Sequence, residues 1–145
     1  MSMYHEIVMA LNPLVSTLDH LGILYYIGGS VSSSLHGIAR STHDVDVIAD
    51  IQLHHVHRIV QLLQNEYYID EQALKDAVRR ALPYNIIYLD AMMKIDLMPL
   101  KKRAFTQEEA RRAQYHVLEQ GAHPLRVAAA EDALLTKLEW FKMGG

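Results

Sequence analysis

Two aspartates one residue apart, in the segment "HDVDVIAD" (residues 43–50), are the residues best suited to chemistry in this chain. Side chains at positions i and i+2 of a strand point the same way, so Asp44 and Asp46 share one face, and Val45 and Val47 share the other. Two carboxylates this close repel each other unless a cation, a basic side chain or water compensates them. Oxygen ligands favour Mg²⁺ or Mn²⁺. A divalent metal site is therefore one interpretation, and a pair of surface or turn aspartates is the plainer alternative.

A Gly-Gly-Ser sequence at residues 28–30 follows the apolar run "ILYYI". Gly28 and Gly29 allow the backbone to approach a ligand closely after a strand. A helix that begins near Ser30 offers free N–H groups to an anion, and the Ser30 hydroxyl adds a donor. No G-K-[ST] follows, so this is not a P-loop. An ordinary strand-to-helix turn is the alternative interpretation.

A third acidic residue, Asp96, lies within the apolar segment "KIDLM". A charge in the middle of an apolar strand is costly unless it is paired. An ion pair with Lys94 or Lys101 is the structural alternative to a functional role. Both lysines fit poorly, because Lys94 is on the same strand and Lys101 follows Pro99.

Together these features resemble the nucleotidyltransferase superfamily with the polymerase-beta-like fold. "GGS" is followed after thirteen residues by "DVDV", and a single aspartate, Asp96, follows on a later strand. "HGIARSTHDVDV" is similar to the G-x-x-R-x-T-x-D-x-D form of the minimal nucleotidyltransferases and of the AbiEii toxin-like branch. The late segment "AAAEDALLTKLEWFKMGG" resembles the closing helix of that branch, with Ala130 where proline is usual.

The resemblance implies an α/β (α+β) fold with a polymerase-beta-like core, in which helices pack on a mixed β-sheet. It implies that Asp44, Asp46 and Asp96 are catalytic and bind one or two Mg²⁺ or Mn²⁺ ions. It also implies a nucleotide-binding set, which is Gly28, Gly29, Ser30, Arg40, Thr42 and Lys137. For Arg40 the alternative is a role in supporting its loop, and for Lys137 it is a solvated surface position.

The activity implied by the resemblance is transfer of an NMP from an NTP to a hydroxyl, with release of pyrophosphate. The acceptor is left open between a tRNA end, a protein and a small molecule, and the protein could be the toxin of a toxin–antitoxin pair. The alternative is a non-catalytic nucleotide-binding or partner-binding module of the same fold. A chain of 145 residues leaves little room for an acceptor-binding domain. A helical partner protein or a second copy of the chain could supply that surface.

Length and composition predict one domain over residues 1–145, with an N-terminal helical segment (1–22), a catalytic core (23–128) and a C-terminal helix (129–145). The absence of cysteine excludes disulfides and thiolate metal sites, and it predicts a cytoplasmic location. We expect no signal peptide and no membrane span. The net charge of −3 argues mildly against a protein that grips long nucleic acid.

Hydrophobic periodicity predicts alternating helices and strands. Asn12-Pro13 predicts either two short helices within residues 4–20, with Asn12 as N-cap, or one kinked helix. We interpret His54, His55 and His57 as surface or capping residues, because their spacing does not suit a zinc site. The other predicted helices are 30–35, 53–65, 71–81, 106–113 and 129–143; the predicted strands are 23–27, 45–49, 85–89, 93–98 and 115–118. A tight turn should join strands 85–89 and 93–98 into a hairpin. In helix 53–65 the residues expected to face inward are Val56, Ile59, Val60 and Leu63.

Overall fold

The computed structural model describes residues 3–28, 44–101, 104–117 and 120–129. The described residues form four helices and seven strands. In chain order they are α1 (Met3–His20), β1 (Tyr25–Gly28), β2 (Asp44–Ala49), α2 (Leu53–Leu63), β3 (Tyr67–Tyr68), α3 (Glu71–Arg80), β4 (Tyr84–Tyr88), β5 (Met93–Pro99), α4 (Ala104–Arg112), β6 (Gln114–His116) and β7 (Leu125–Val127).

The strands form one mixed sheet in the order β3-β4-β5-β2-β1-β7-β6. β2 pairs with β5, and β1 with β7, in parallel; the four other pairings are antiparallel. The predicted α/β architecture with a mixed sheet is confirmed, and β4 and β5 form the predicted hairpin. The helices predicted over 30–35 and 129–143 lie outside the described residues, apart from position 129.

One face of the sheet carries the main hydrophobic core. Alternate residues of the two central strands, Val45 and Val47 on β2 and Ile95 and Leu97 on β5, are at most 4% exposed. Side chains of α1, α2 and α3 pack over them. In α2 the buried positions follow helical spacing, as predicted: Val56, Ile59, Val60 and Leu63. This burial fixes which face of β2 and β5 points away from the core.

Helix α1 continues through Pro13, with the help of a tyrosine from an edge strand. Proline disrupts the helical hydrogen-bond ladder. The Tyr67 hydroxyl accepts a hydrogen bond from the Leu14 N–H at 3.2 Å and donates one to the Ala10 carbonyl, and so bridges the ladder at this point. The interpretation as two short helices capped by Asn12 is therefore wrong.

The opposite face of the sheet carries α4 over a smaller apolar cluster, formed by Tyr26, Ala110, Ala113 and Ala128. Arg126 of β7 donates a 2.6 Å hydrogen bond to the Ala110 carbonyl near the end of α4. Strand β7 was not predicted from the sequence. Across the described residues, we find no helix with both the length and the apolar character that a membrane crossing requires.

Candidate active site

Asp46 and Asp96 lie side by side on neighbouring strands. Their Cα atoms are partners in the parallel pairing of β2 with β5. Paired residues project from the same face of a sheet, and neighbouring strands are about 4.8 Å apart, so the two carboxylates share one site. Their face is the one opposite the main core, because the residues that flank them in sequence are buried in it. The structure therefore brings together two aspartates that are fifty residues apart in the chain.

Gly28 extends this arrangement by one strand. It pairs with Asp46 across β1 and β2, and on the other side Asn85 of β4 pairs with Asp96. We call Asn85, Asp96, Asp46 and Gly28 the carboxylate row. A β-carbon at residue 28 would come within 3.1 Å of Ile48 Cδ1, so a side chain at this position would require Ile48 to shift.

One oxygen of Asp96 lacks a partner. Its Oδ1 atom is buried and has no hydrogen-bond partner among the described residues. The ion pair with Lys94 or Lys101 that the sequence left open therefore does not satisfy this atom. An unsatisfied buried carboxylate oxygen costs free energy, and a bound ion or water is one explanation for such a group.

A second row lies next to the carboxylate row, toward the start of β2 and β5. The backbone of Asp44 pairs with Lys94, and Lys94 pairs with Ile87 of β4. The side chain of Asp44 lies outside the description. Five predicted nucleotide-binding residues also lie outside the described ranges, and they stay predictions: Gly29, Ser30, Arg40, Thr42 and Lys137.

Asn85 is a candidate site residue that the sequence alone did not identify. Its side chain is exposed, and its strand partner is Asp96. Once the hairpin of β4 and β5 is predicted, counting outward from its turn identifies the residue that faces Asp96. That count required the correct register, which the sequence alone leaves open.

A divalent cation fits the donor set of this row. Carboxylate oxygens are the ligands that Mg²⁺ and Mn²⁺ prefer, and the buried Oδ1 of Asp96 is a ligand atom that lacks another partner in the part of the chain described. Within that part no group of three acidic, histidine or cysteine side chains converges. The predicted third ligand is Asp44, whose side chain is not among those described.

The histidine cluster is not part of this site. His55 Nδ1 accepts a 2.9 Å hydrogen bond from the backbone N–H of Gln52 at the start of α2. Burial lowers the pKa of His55, which favours the neutral ring that this bond requires. His57 is mostly exposed and contacts Glu71 at 3.0 Å. The interpretation of the cluster as surface or capping residues is confirmed for His55, which caps α2, and for His57, which is at the surface.

Solved structures that share this fold include the following two. A candidate nucleotidyltransferase from Thermotoga maritima (TM1012) is 13% identical, with 99% of this chain and 89% of that chain covered and a TM-score of 0.65. The antibiotic-resistance factor ANT(2'')-Ia is 11% identical, with 97% of this chain and 75% of that chain covered and a TM-score of 0.57. No protein-family model matches the sequence, and no curated protein matches it. At these identities the likeness establishes the polymerase-beta-like fold, while the AbiEii-like branch stays a prediction.

Proposed function

We propose that this protein is a metal-dependent nucleotidyltransferase that moves an NMP from an NTP to a hydroxyl acceptor and releases pyrophosphate. The observation that carries the proposal is the pairing of Asp46 with Asp96 on one face of the sheet, with a buried oxygen of Asp96 left without a partner. The fold shared with a candidate nucleotidyltransferase supports it further.

The three aspartates share the task of metal binding in this proposal, and other residues bind the phosphates. Asp44, Asp46 and Asp96 would hold Mg²⁺ or Mn²⁺. When bound, the metal neutralises negative charge on the triphosphate and at the reacting phosphorus. Gly28, Gly29 and Ser30 receive the phosphates, and Gly28 places no side chain beside Asp46, its partner across β1 and β2. Arg40, Thr42 and Lys137 are further candidates for phosphate contacts.

The chemical step is an in-line displacement. The acceptor oxygen forms a bond to the α-phosphorus, while the bond from that phosphorus to the bridging oxygen breaks. Pyrophosphate leaves with the electron pair of the broken bond. Asp96 accepts the proton of the attacking hydroxyl, and its position beside Asp46 suits this role because both carboxylates face the same side.

The acceptor class is the open part of the proposal. A tRNA end, a protein hydroxyl and a small molecule all fit transfer to a hydroxyl. The shared fold with an antibiotic-resistance factor is a reason to include small molecules in the assay. In the proposed organisation residues 23–128 form the catalytic core of one domain, and a helical partner or a second copy adds acceptor-binding surface. A role as a toxin would follow if the acceptor is an essential tRNA or protein.

The direct test is transfer of label from each of four α-³²P NTPs, with Mg²⁺ or Mn²⁺, into a cell extract. We expect label on RNA, protein or a small molecule, and loss of that label with the Asp44→Ala/Asp46→Ala double variant. The labelled product identifies both the base and the acceptor class. No transfer with any nucleotide, in an extract that supports a known nucleotidyltransferase, would favour the non-catalytic module.

A single isosteric substitution tests the site itself. We expect Asp46→Asn to lower transfer by roughly a thousandfold, because it removes a charge that stabilises the reaction. The thermal unfolding midpoint should change little. Asp50→Asn is the matched control, since Asp50 lies four residues further along the chain, roughly 13 Å away. Normal turnover by the Asp46→Asn protein would show that the site is assigned to the wrong residues.

A further inference from the structure

A lysine, Lys94, lies in the row of residues next to the carboxylate row. Lys94 precedes Asp96 by two residues on β5, so both side chains project from the same face. Across the parallel pairing of β5 with β2, its Cα partner is Asp44. The Lys94 side chain is exposed, so it is accessible to a ligand above this face. Lys94 therefore lies near the start of β2 and β5, beside the predicted metal ligand Asp44.

An ordinary explanation of Lys94 is a cross-strand ion pair with Asp44. At an exposed site such an ion pair contributes little to the free energy of unfolding, commonly much less than a buried contact contributes. The charge balance of the site gives this lysine a larger role. Three carboxylates and a triphosphate together carry more negative charge than two divalent cations compensate. A positive side chain beside the row would make up part of that difference.

We propose that Lys94 binds the triphosphate of the nucleotide substrate and is a further substrate-binding residue of this site. The inference rests on the proposed nucleotidyltransferase function. The reacting hydroxyl of the acceptor is uncharged. A cation at this position therefore attracts it less strongly than it attracts the triphosphate. An RNA acceptor also carries phosphates, and binding of nucleotide without any acceptor distinguishes the two sources.

This role gives Lys94 effects of opposite sign on two ligands. A positive charge next to metal-binding carboxylates repels a divalent cation that arrives alone. The same charge attracts a metal–nucleotide complex, whose phosphates extend beyond the metal. Loss of the charge should therefore tighten binding of the metal alone and weaken binding of the nucleotide. A lysine with a merely structural role would change both affinities in the same direction or neither.

The experiment measures both affinities on the full chain and its variants Lys94→Gln, Lys94→Arg and Lys101→Gln. Binding of Mn²⁺ alone is measured by electron paramagnetic resonance. Binding of non-hydrolysable α,β-methylene analogues of the four NTPs in Mg²⁺ is measured by calorimetry, without acceptor. Lys101→Gln is the matched control, because it removes the same charge seven residues after Lys94, roughly 20 Å away along an extended chain.

For Lys94→Gln we expect Mn²⁺ alone to bind about two- to fivefold more tightly at low ionic strength. We expect the preferred nucleotide analogue to bind about five- to tenfold more weakly. Lys94→Arg should retain nucleotide affinity, and Lys101→Gln should behave as the unmodified protein.

The possible failures are distinguishable. If the unmodified protein binds an analogue and Lys94→Gln binds it equally well, the inference is wrong while the proposed function stands. If Lys94→Gln weakens both ligands, Lys94 is structural. If Lys101→Gln reproduces the changes, they reflect net charge and not this site. If the unmodified protein binds none of the four analogues, the proposed function fails and the inference fails with it.

Discussion

The two faces of the central strands differ sharply in what they carry. On one face of β2 and β5, Val47 and Ile95 are fully buried under helices α1 to α3. On the other face, one residue away along each strand, Asp46 and Asp96 stand side by side. The apolar face thus supplies stability, and it also fixes the position of the acidic face. Alternate side chains of a strand point to opposite faces. A single strand can therefore carry buried apolar residues on one face and reactive residues on the other.

The largest effect should come from the apolar face. Ile95→Ala removes a fully buried side chain next to Asp96, and we expect the free energy of unfolding to fall by about 3 kcal/mol. At a temperature where the variant is folded, its Mn²⁺ affinity should stay within about twofold, because the backbone register is unchanged. Denaturant unfolding and electron paramagnetic resonance measure the two quantities. A tenfold loss of metal affinity in the folded variant would show that the faces are not separable.

An intermediate effect should come from the tyrosine that bridges helix α1. Tyr67→Phe removes the hydroxyl shared by the Leu14 N–H and the Ala10 carbonyl, and we expect a loss of about 1 to 2 kcal/mol. In the Tyr67→Phe protein the Leu14 N–H can bond directly to the Ala10 carbonyl, which limits the loss of stability. Tyr68→Phe is the matched control, because Tyr68 is exposed on the same strand. Equal stability of the two variants would show that the bridge contributes nothing.

The same tyrosine gives a pH dependence with a definite sign. Burial raises the pKa of Tyr67 above its ordinary value. Its contribution is therefore fully present below about pH 10, where the unfolded side chain is also neutral, and it is lost as the pH rises further. We expect the Tyr67→Phe protein to lose less stability than the unmodified protein between neutral and strongly alkaline pH. An equal loss of stability with pH in both proteins would show that ionisation of Tyr67 does not contribute to the pH dependence.

The smallest effect, and the one of opposite sign, should come from the acidic face. Asp96→Asn removes a charge from a position where one oxygen is buried without a partner, so we expect a gain of about 1 kcal/mol in the free energy of unfolding. Addition of Mg²⁺ should reduce this gain, since the metal stabilises only the protein that keeps the carboxylate. Chemical unfolding with and without Mg²⁺ measures it. A clear loss of stability in Asp96→Asn without metal would mean that Asp96 has a structural role.

Local patterns predicted most of this fold because they depend on near neighbours. The spacing of Val56, Ile59 and Leu63 identified α2, and alternation identified β2 and the β4–β5 hairpin. Strand β7 was missed because its three residues, Leu125–Val127, are too few to show a pattern. It forms a strand because Val127 pairs with Ile27 of a distant segment, which no local window contains.

In the candidate site, too, some features follow from local sequence patterns and others depend on the assembled sheet. The parity of "DVDV" correctly placed Asp46 on the face opposite Val45 and Val47, which are buried. That the two aspartates are direct partners depends on the register between β2 and β5, which only the assembled sheet determines. Asn85 and the pairing of Lys94 with Asp44 were hidden for the same reason. No local pattern in the sequence of α1 indicates that Tyr67, which follows α2 in the chain, contacts the helix next to Pro13.

The bridge at Pro13 also links two parts of the molecule in their opening motions. The Leu14 amide is protected by a side chain from the edge strand β3, fifty-three residues away. Exchange of that amide proton with solvent therefore requires either separation of β3 from α1 or opening of the whole helix. Native-state hydrogen exchange should show the centre of α1 and the edge of the sheet opening together, as one cooperative unit joined by a single hydroxyl group.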